Sequence, residues 1–159
     1  MGLSLNRGGI QEITMILTGK TKAQVEAEKL EQAKQEAIQE INRYKGILLR
    51  KGFNFNGETY PLDIGAQVAY QALQTAITTG IQETVLIITA DNKIIEMDSE
   101  TFNQFLIQAL QKASEIAITA RETKDAILIA KNIAEVQSLK IEFCKLGEYH
   151  DIKDNGGIL

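Results

Sequence analysis

Residues 99–136 read SETFNQFLIQALQKASEIAITARETKDAILIAKNIAEV, and this stretch decides the fold. Apolar and small residues recur at Phe102, Leu106, Ala109, Ala113, Ile116, Ala120, Ile127, Ala130 and Ala134, with the polar Thr123 completing a row of alternating four- and three-residue steps. That spacing is one face of an amphipathic helix. No Gly or Pro interrupts it, and at about 1.5 Å per residue it reaches roughly 55 Å, longer than a domain of this size is wide. A helix that outruns its own globule must lie against something else. The residues therefore point to a chain that binds other protein surfaces.

A second long helix precedes it. Thr21 with Gln24 three residues later has the spacing of a capping box, and Gly52 suits the position just past the helix end. Between them Leu30, Ala33, Ala37, Ile41, Tyr44 and Leu48 form a stripe, narrow until Ala37 and wider after Ile38. The narrow part has coiled-coil character, so the first half is expected to project and the second half to join a core. Glu26 with Lys29, Glu31 with Lys34, and Glu40 with Arg43 read as pairs on the wet face. Gly46, inside this helix, suggests a close contact with another element.

Phe53, Phe55 and Tyr60 flank Asn56-Gly57, a strong hairpin signal. Asp63 is the expected N-cap of a helix whose buried side includes Ala66, Ala69, Leu73, Ala76 and Ile77, ended by Gly80. Thr84 to Ala90 reads as a strand covered on both faces, and Ile94 to Met97 returns after the turn Asp91-Asn92-Lys93. Residues 126–130 are apolar on every side, which marks either complete burial or a helix break. Beyond Val136, the alternation of Leu139, Ile141 and Phe143 with Lys140, Glu142 and Cys144 is strand-like. At the other end, Ile13, Met15 and Leu17 belong to a compact apolar run that suits an extended arm.

The totals narrow the function classes. Among 159 residues the net charge is −4 and no basic block exists, which argues against nucleic acid as a partner. No apolar run approaches the ~18 residues of a membrane span, and no signal-peptide core is expected at the N-terminus. The single cysteine, Cys144, excludes an intrachain disulfide and is expected as a buried or half-buried thiol. Glu148, His150, Asp151 and Asp154 are metal-ligand types, but their spacing matches no zinc or EF-hand pattern and the segment reads as a loop. Asp91-Asn92 is better explained as a turn, whose side chains satisfy backbone groups and tolerate left-handed angles, than as catalytic. No phosphate loop, nucleophile elbow or HExxH occurs. The expectation is a non-enzyme with no cofactor, no catalytic residue and no metal site.

Three segments together resemble a known family. They are Phe55-Asn56-Gly57-Glu58-Thr59-Tyr60 with Asp63, then Thr89-Ala90-Asp91-Asn92 leading to Ser99-Glu100-Thr101-Phe102, and finally Ala120 to Ile127. Residues from about 30 to 127 look like a domain of undetermined function found in bacteriophage and prophage tail-fibre and tail-fibre assembly proteins. Ile87 stands where that family often has Trp, and Gly65 and Gln67 replace a Ser and a basic residue. The resemblance implies a virion (tail) protein, or one working in the host cytoplasm during assembly, and brings no catalytic residues.

The expected fold is α+β: long amphipathic helices, a small antiparallel sheet of two hairpins and extended terminal arms. The expected divisions are an N-terminal arm over 1–20, a long helix over 21–52, a central unit over 53–125 and a C-terminal helical and strand arm over 126–159. The expected core holds Ile47, Leu48, Phe53, Phe55, Tyr60, Ala69, Leu73, Ile77, Leu86, Ile88, Ile95, Phe102, Leu106 and Leu110. Expected partner contacts are Ile13, Met15, Leu17, Leu30, Ala37, Ile127, Leu128, Ile133, Leu139, Ile141 and Phe143. The resemblance implies tail-fibre or other tail proteins as partners, in a homotrimer or hetero-oligomer. An alternative expectation is a receptor- or glycan-binding tip domain, with Tyr60, Tyr70 and Tyr149 as aromatic platforms.

Overall fold

A computed structural model describes residues 19–155, with side chains to residue 146. The fold is α+β. In chain order it runs α1 (Lys22–Lys51), β1 (Phe53–Phe55), β2 (Glu58–Tyr60), α2 (Ile64–Thr78), β3 (Thr84–Ile88), β4 (Ile94–Asp98), α3 (Ser99–Ile129) and α4 (Ile133–Asn155). The expected arm over 1–20, with Ile13, Met15 and Leu17, lies almost entirely outside the described residues.

The caps act as their residue types dictate. Thr21 and Gln24 form the reciprocal capping box of α1, Asp63 accepts from Ala66 N at the start of α2, and Asp98 accepts from Thr101 N at the start of α3. Asn56 and Gly57 both take positive φ, 51° and 83°, as a tight hairpin turn between β1 and β2 requires. Gly52 is required at its site. Its φ is 78°, and a Cβ there would stand 1.8 Å from the Tyr60 carbonyl oxygen. Gly46 makes no such approach, since a Cβ would meet only the Arg50 side chain at 3.6 Å.

The two hairpins are separate two-stranded antiparallel sheets rather than one sheet. A hydrogen bond from Ala90 N to Thr59 O, 2.8 Å, ties the tip of one to the other. They pack with α2 and the first half of α3 around Phe105. This ring is fully buried and lies against Phe53, Phe55, Tyr60, Tyr70 and Phe102 at centroid distances of 4.9 to 5.9 Å.

The second core is a three-helix bundle of α1, α3 and α4. Ala37, Ile41 and Leu48 of α1 meet Ile116, Ala120 and Ile127 of α3, and Val136 and Phe143 of α4. The long seam of α3 is buried or half-buried from Phe102 to Ala130, but Ala134 is exposed because the helix has already ended. Ala130 adopts an extended backbone (φ −58°, ψ 140°). Asn132 then starts α4 by accepting from Glu135 N at 2.9 Å, while the Glu135 carboxylate accepts from Lys131 N at 2.7 Å. Lys34 also departs from its expected pairing with Glu31. Its ammonium donates to the Leu128 carbonyl at 2.7 Å, satisfying an orphan acceptor at the end of α3.

The expected strand over 139–143 is a helix. Val136, Leu139 and Phe143 step by three and four on one face, and that face packs on α1, with Phe143 edge-on to Tyr44. The loop expected around His150 is likewise helical backbone. Ile127, Ala130, Val136, Leu139 and Phe143 thus belong to the bundle, as helix and not as strand. β3 is covered on one face only: Val85 and Ile87 are buried, while Leu86 and Ile88 are exposed. Of the expected core, Ala69, Leu86, Ile88 and Leu110 face outward.

Candidate interaction surface

The eleven expected contact residues separate into three groups. Ile13, Met15 and Leu17 lie outside the described residues. Ala37, Ile127 and Phe143 are buried inside the chain's own bundle, and Leu30 and Leu139 are half-buried against it. Their apolar area is already removed from water by intramolecular packing. Leu128, Ile133 and Ile141 remain exposed.

A second exposed surface includes Leu86 and Ile88, which were expected in the core. In the β3–β4 ladder, Val85 pairs with Met97 and Ile87 with Ile95 on the inner face. Leu86 pairs with Glu96 and Ile88 with Ile94 on the outer face. Leu86, Ile88 and Ile94 are 62%, 59% and 67% exposed, so the part of the solvent face toward the hairpin tip is apolar, while Thr84, Glu96 and Asp98 keep the other half polar. Ile88 and Ile94 are direct cross-strand neighbours and Leu86 is diagonal to Ile94, so the three side chains form one patch. Among the described residues, neither outer edge of this two-stranded sheet has a strand partner. The missed signal lay in β4, where Glu96 alternates with Ile95 and Met97 and sets which face is wet.

The tip of this hairpin is rigidly built. Thr89 is buried, and its hydroxyl donates to Asp91 Oδ1 at 2.6 Å while accepting from Lys93 N at 2.9 Å. Asn92 takes φ 62°, and its N–H donates to the Thr89 carbonyl at 3.0 Å. The Lys93 ammonium bridges Glu58 on β2 and Asp91, at 3.0 Å each. The hydrogen bond from Thr89, then the Lys93 ammonium, hold the Asp91 carboxyl below the usual aspartate range. Glu58, and after it Asp91, raise Lys93. The Thr89–Lys93 turn therefore fixes where the apolar face of the hairpin sits relative to β1–β2.

Tyr60 and Tyr70 do not form exposed platforms. They are 1% and 5% exposed, and Tyr70 donates to the Pro61 carbonyl at 2.8 Å. Burial raises the pKa of both phenols, with the nearby acids Glu58 and Asp63 adding to it. Tyr149, and the side chains of Glu148, His150, Asp151 and Asp154, lie outside the described side chains. Cys144 is half-buried on α4. No helix among the described residues is long and apolar enough to cross a membrane.

A family described as a domain of unknown function (DUF4376) matches residues 32–142. That span takes in both hairpins, α2, α3, most of α1 and the first part of α4. It begins near the point where α1 enters the bundle. No curated protein and no solved structure matches the chain.

Proposed function

From the premise that this chain belongs to the DUF4376 family of domains of unknown function, we propose that it is a non-catalytic bacteriophage tail-fibre component or tail-fibre assembly chaperone. Its work is binding: it joins or covers fibre protein, as part of a homotrimer or a hetero-complex, without a cofactor, nucleic acid or membrane. The motifs that resemble the phage tail family support the setting. The observation that carries the binding role is the outer face of β3–β4, where Leu86, Ile88 and Ile94 stay in water after both cores have closed.

That face suits a protein partner physically. Each exposed aliphatic side chain gains roughly 1.5–3 kcal/mol when fully buried, and an unpaired strand edge adds main-chain hydrogen bonds when an extended segment joins it. Fibre proteins rich in extended chain offer such segments. The helical seams are used inside the chain, so partner contact falls to this hairpin and to exposed residues such as Ile141.

The test is co-expression of the full chain with the tail-fibre protein encoded in the same phage or prophage, followed by size-exclusion chromatography with light scattering. Co-elution at a defined stoichiometry, lost in the Ile88→Asp variant, is the expected result. A chain that elutes separately from the fibre protein contradicts the reading.

A further inference from the structure

The charge of the molecule is unevenly spread. Residues 52–111, which hold both hairpins, α2 and the start of α3, carry seven Asp and Glu residues and a single cation, Lys93. The other 16 of the 17 Lys and Arg residues lie outside that span, so a net charge of −4 conceals a strongly acidic hairpin end. Lys93 is already engaged by Glu58 and Asp91. Among the described residues, no Lys or Arg pairs with Glu83 or Glu96.

The outer face of β3–β4 carries this gradient along its length. The Ile88–Ile94 pair at the tip is apolar, the Leu86–Glu96 pair is mixed, and the Thr84–Asp98 pair at the base is polar. Beside the lower two pairs an open groove of about 590 Å³ lies between the hairpin and α2, lined by Leu73, Gln82, Glu83, Thr84, Leu86 and Glu96. Its apolar surface comes from Leu73 and Leu86, and both of its charges are carboxylates. The Thr84 hydroxyl donates to Glu96 Oε1 at 2.9 Å and so holds one of those carboxylates at the groove.

Building on the binding role given to β3–β4, we propose that this face takes an extended segment of the partner protein in which aliphatic residues and a lysine or arginine share one edge. The aliphatic side chains cover Ile88 and Ile94. Side chains on one edge of an extended chain recur every two residues, about 7 Å, so a cation two or four residues further on reaches the groove. There its hydrocarbon stem lies on Leu73 and Leu86 while its charged head meets Glu83 and Glu96. The hairpin of a second copy does not fit. Laid with matching pairs together, it sets Glu96 and Asp98 against their own copies. Laid the other way round, it presses carboxylates onto Ile88 and Ile94 with no counter-charge.

Titration of the full chain with synthetic peptides, followed by amide NMR shifts, tests this. The probes are two heptapeptides, acetylated and amidated, with valine at the third and fifth positions and threonine at the even ones. One has lysine at both ends and the other glutamate, so either direction of binding presents the end charge to the groove. At low salt the lysine peptide should shift amides of residues 84–88 and 94–98 and bind at least about fivefold tighter than the glutamate peptide. The Glu83→Gln, Glu96→Gln double variant should cut that preference below about twofold, and Ile88→Asp should weaken both peptides. The two glutamates are exposed, and the amide spectrum of the double variant itself reports that the fold is kept. Equal binding of the two peptides, a preference for glutamate, or no shift on the hairpin overturns the proposal. If the preference holds but fibre protein does not co-elute with the chain, the tail-fibre reading fails and this inference stands. If fibre protein co-elutes but the peptides are not told apart, the inference fails and the reading stands.

Discussion

Phe105 touches five other aromatic rings and is fully buried, so it concentrates the packing of the hairpin end of the molecule. Phe105→Ala should cost about 3–5 kcal/mol, measured by urea denaturation, and a loss under about 1 kcal/mol would show that the ring cluster is not the keystone. The sequence left Phe105 out of the α3 row because it lies one position off the four-three spacing. Only the aromatic hairpin arriving from β1 and β2 widens the buried face enough to include it. Gly52, by contrast, was legible as a helix-ending glycine. The structure adds the reason Gly52→Ala should destabilise by more than about 1 kcal/mol: a positive φ together with the Tyr60 carbonyl in the space a methyl would need. Asp91 supplies a pH dependence. Its folded pKa is lowered, so its contribution is present above the ordinary aspartate range and is lost as pH falls through the lowered value. Carbon-13 titration should find this carboxyl ionised at a pH where an unstructured aspartate is already protonated, and Thr89→Val should bring it back toward normal. An unshifted Asp91 would mean that the turn is not closed as described.

At the scale of elements, the strand expected over 139–143 and the double covering expected of β3 share one cause. Over five to seven residues, period two and period 3.6 overlap, and the pattern alone cannot say which face is inside. Leu139, Ile141 and Phe143 alternate as a strand would, yet the seam is Val136, Leu139 and Phe143 on a helix. The deciding signal was upstream, where Asn132 and Glu135 have the spacing of a helix start. The two readings differ experimentally at Ile141. A strand puts Ile141 beside Phe143, so a charge there would be ruinous. The helix puts Ile141 in solvent, so Ile141→Asp should change stability by no more than about 0.5 kcal/mol, whereas Val136→Asp should cost more than about 3 kcal/mol. Denaturation curves of the two variants decide between them. In β3 the run Val85-Leu86-Ile87-Ile88 is apolar throughout and carries no face signal of its own. Its partner β4 does, through Glu96, but using it requires the register first.

For the whole molecule, element types and most boundaries before about residue 126 could be read from caps, turns and periodicity, because those depend on neighbours a few residues away. What could not be read is that α4 folds back along α1. That contact joins residues about a hundred positions apart, as Tyr44 against Phe143 shows. It also changes what the apolar surplus means. Ala37, Ile127 and Phe143 looked like surface awaiting another protein, and they instead complete a bundle within one chain. The surplus that survives includes the outer face of β3–β4, where Leu86, Ile88 and Ile94 stay exposed. We propose that this hairpin face is where fibre protein binds. The most direct measurement is the light-scattering mass of the full chain, alone and with its fibre protein, for the unaltered sequence and for Ile88→Asp. The account predicts a complex larger than the 17.6 kDa chain with fibre protein present, and its loss in the variant while the circular dichroism stays helical. A mass of one chain in every sample, or a complex indifferent to Ile88→Asp, would contradict it.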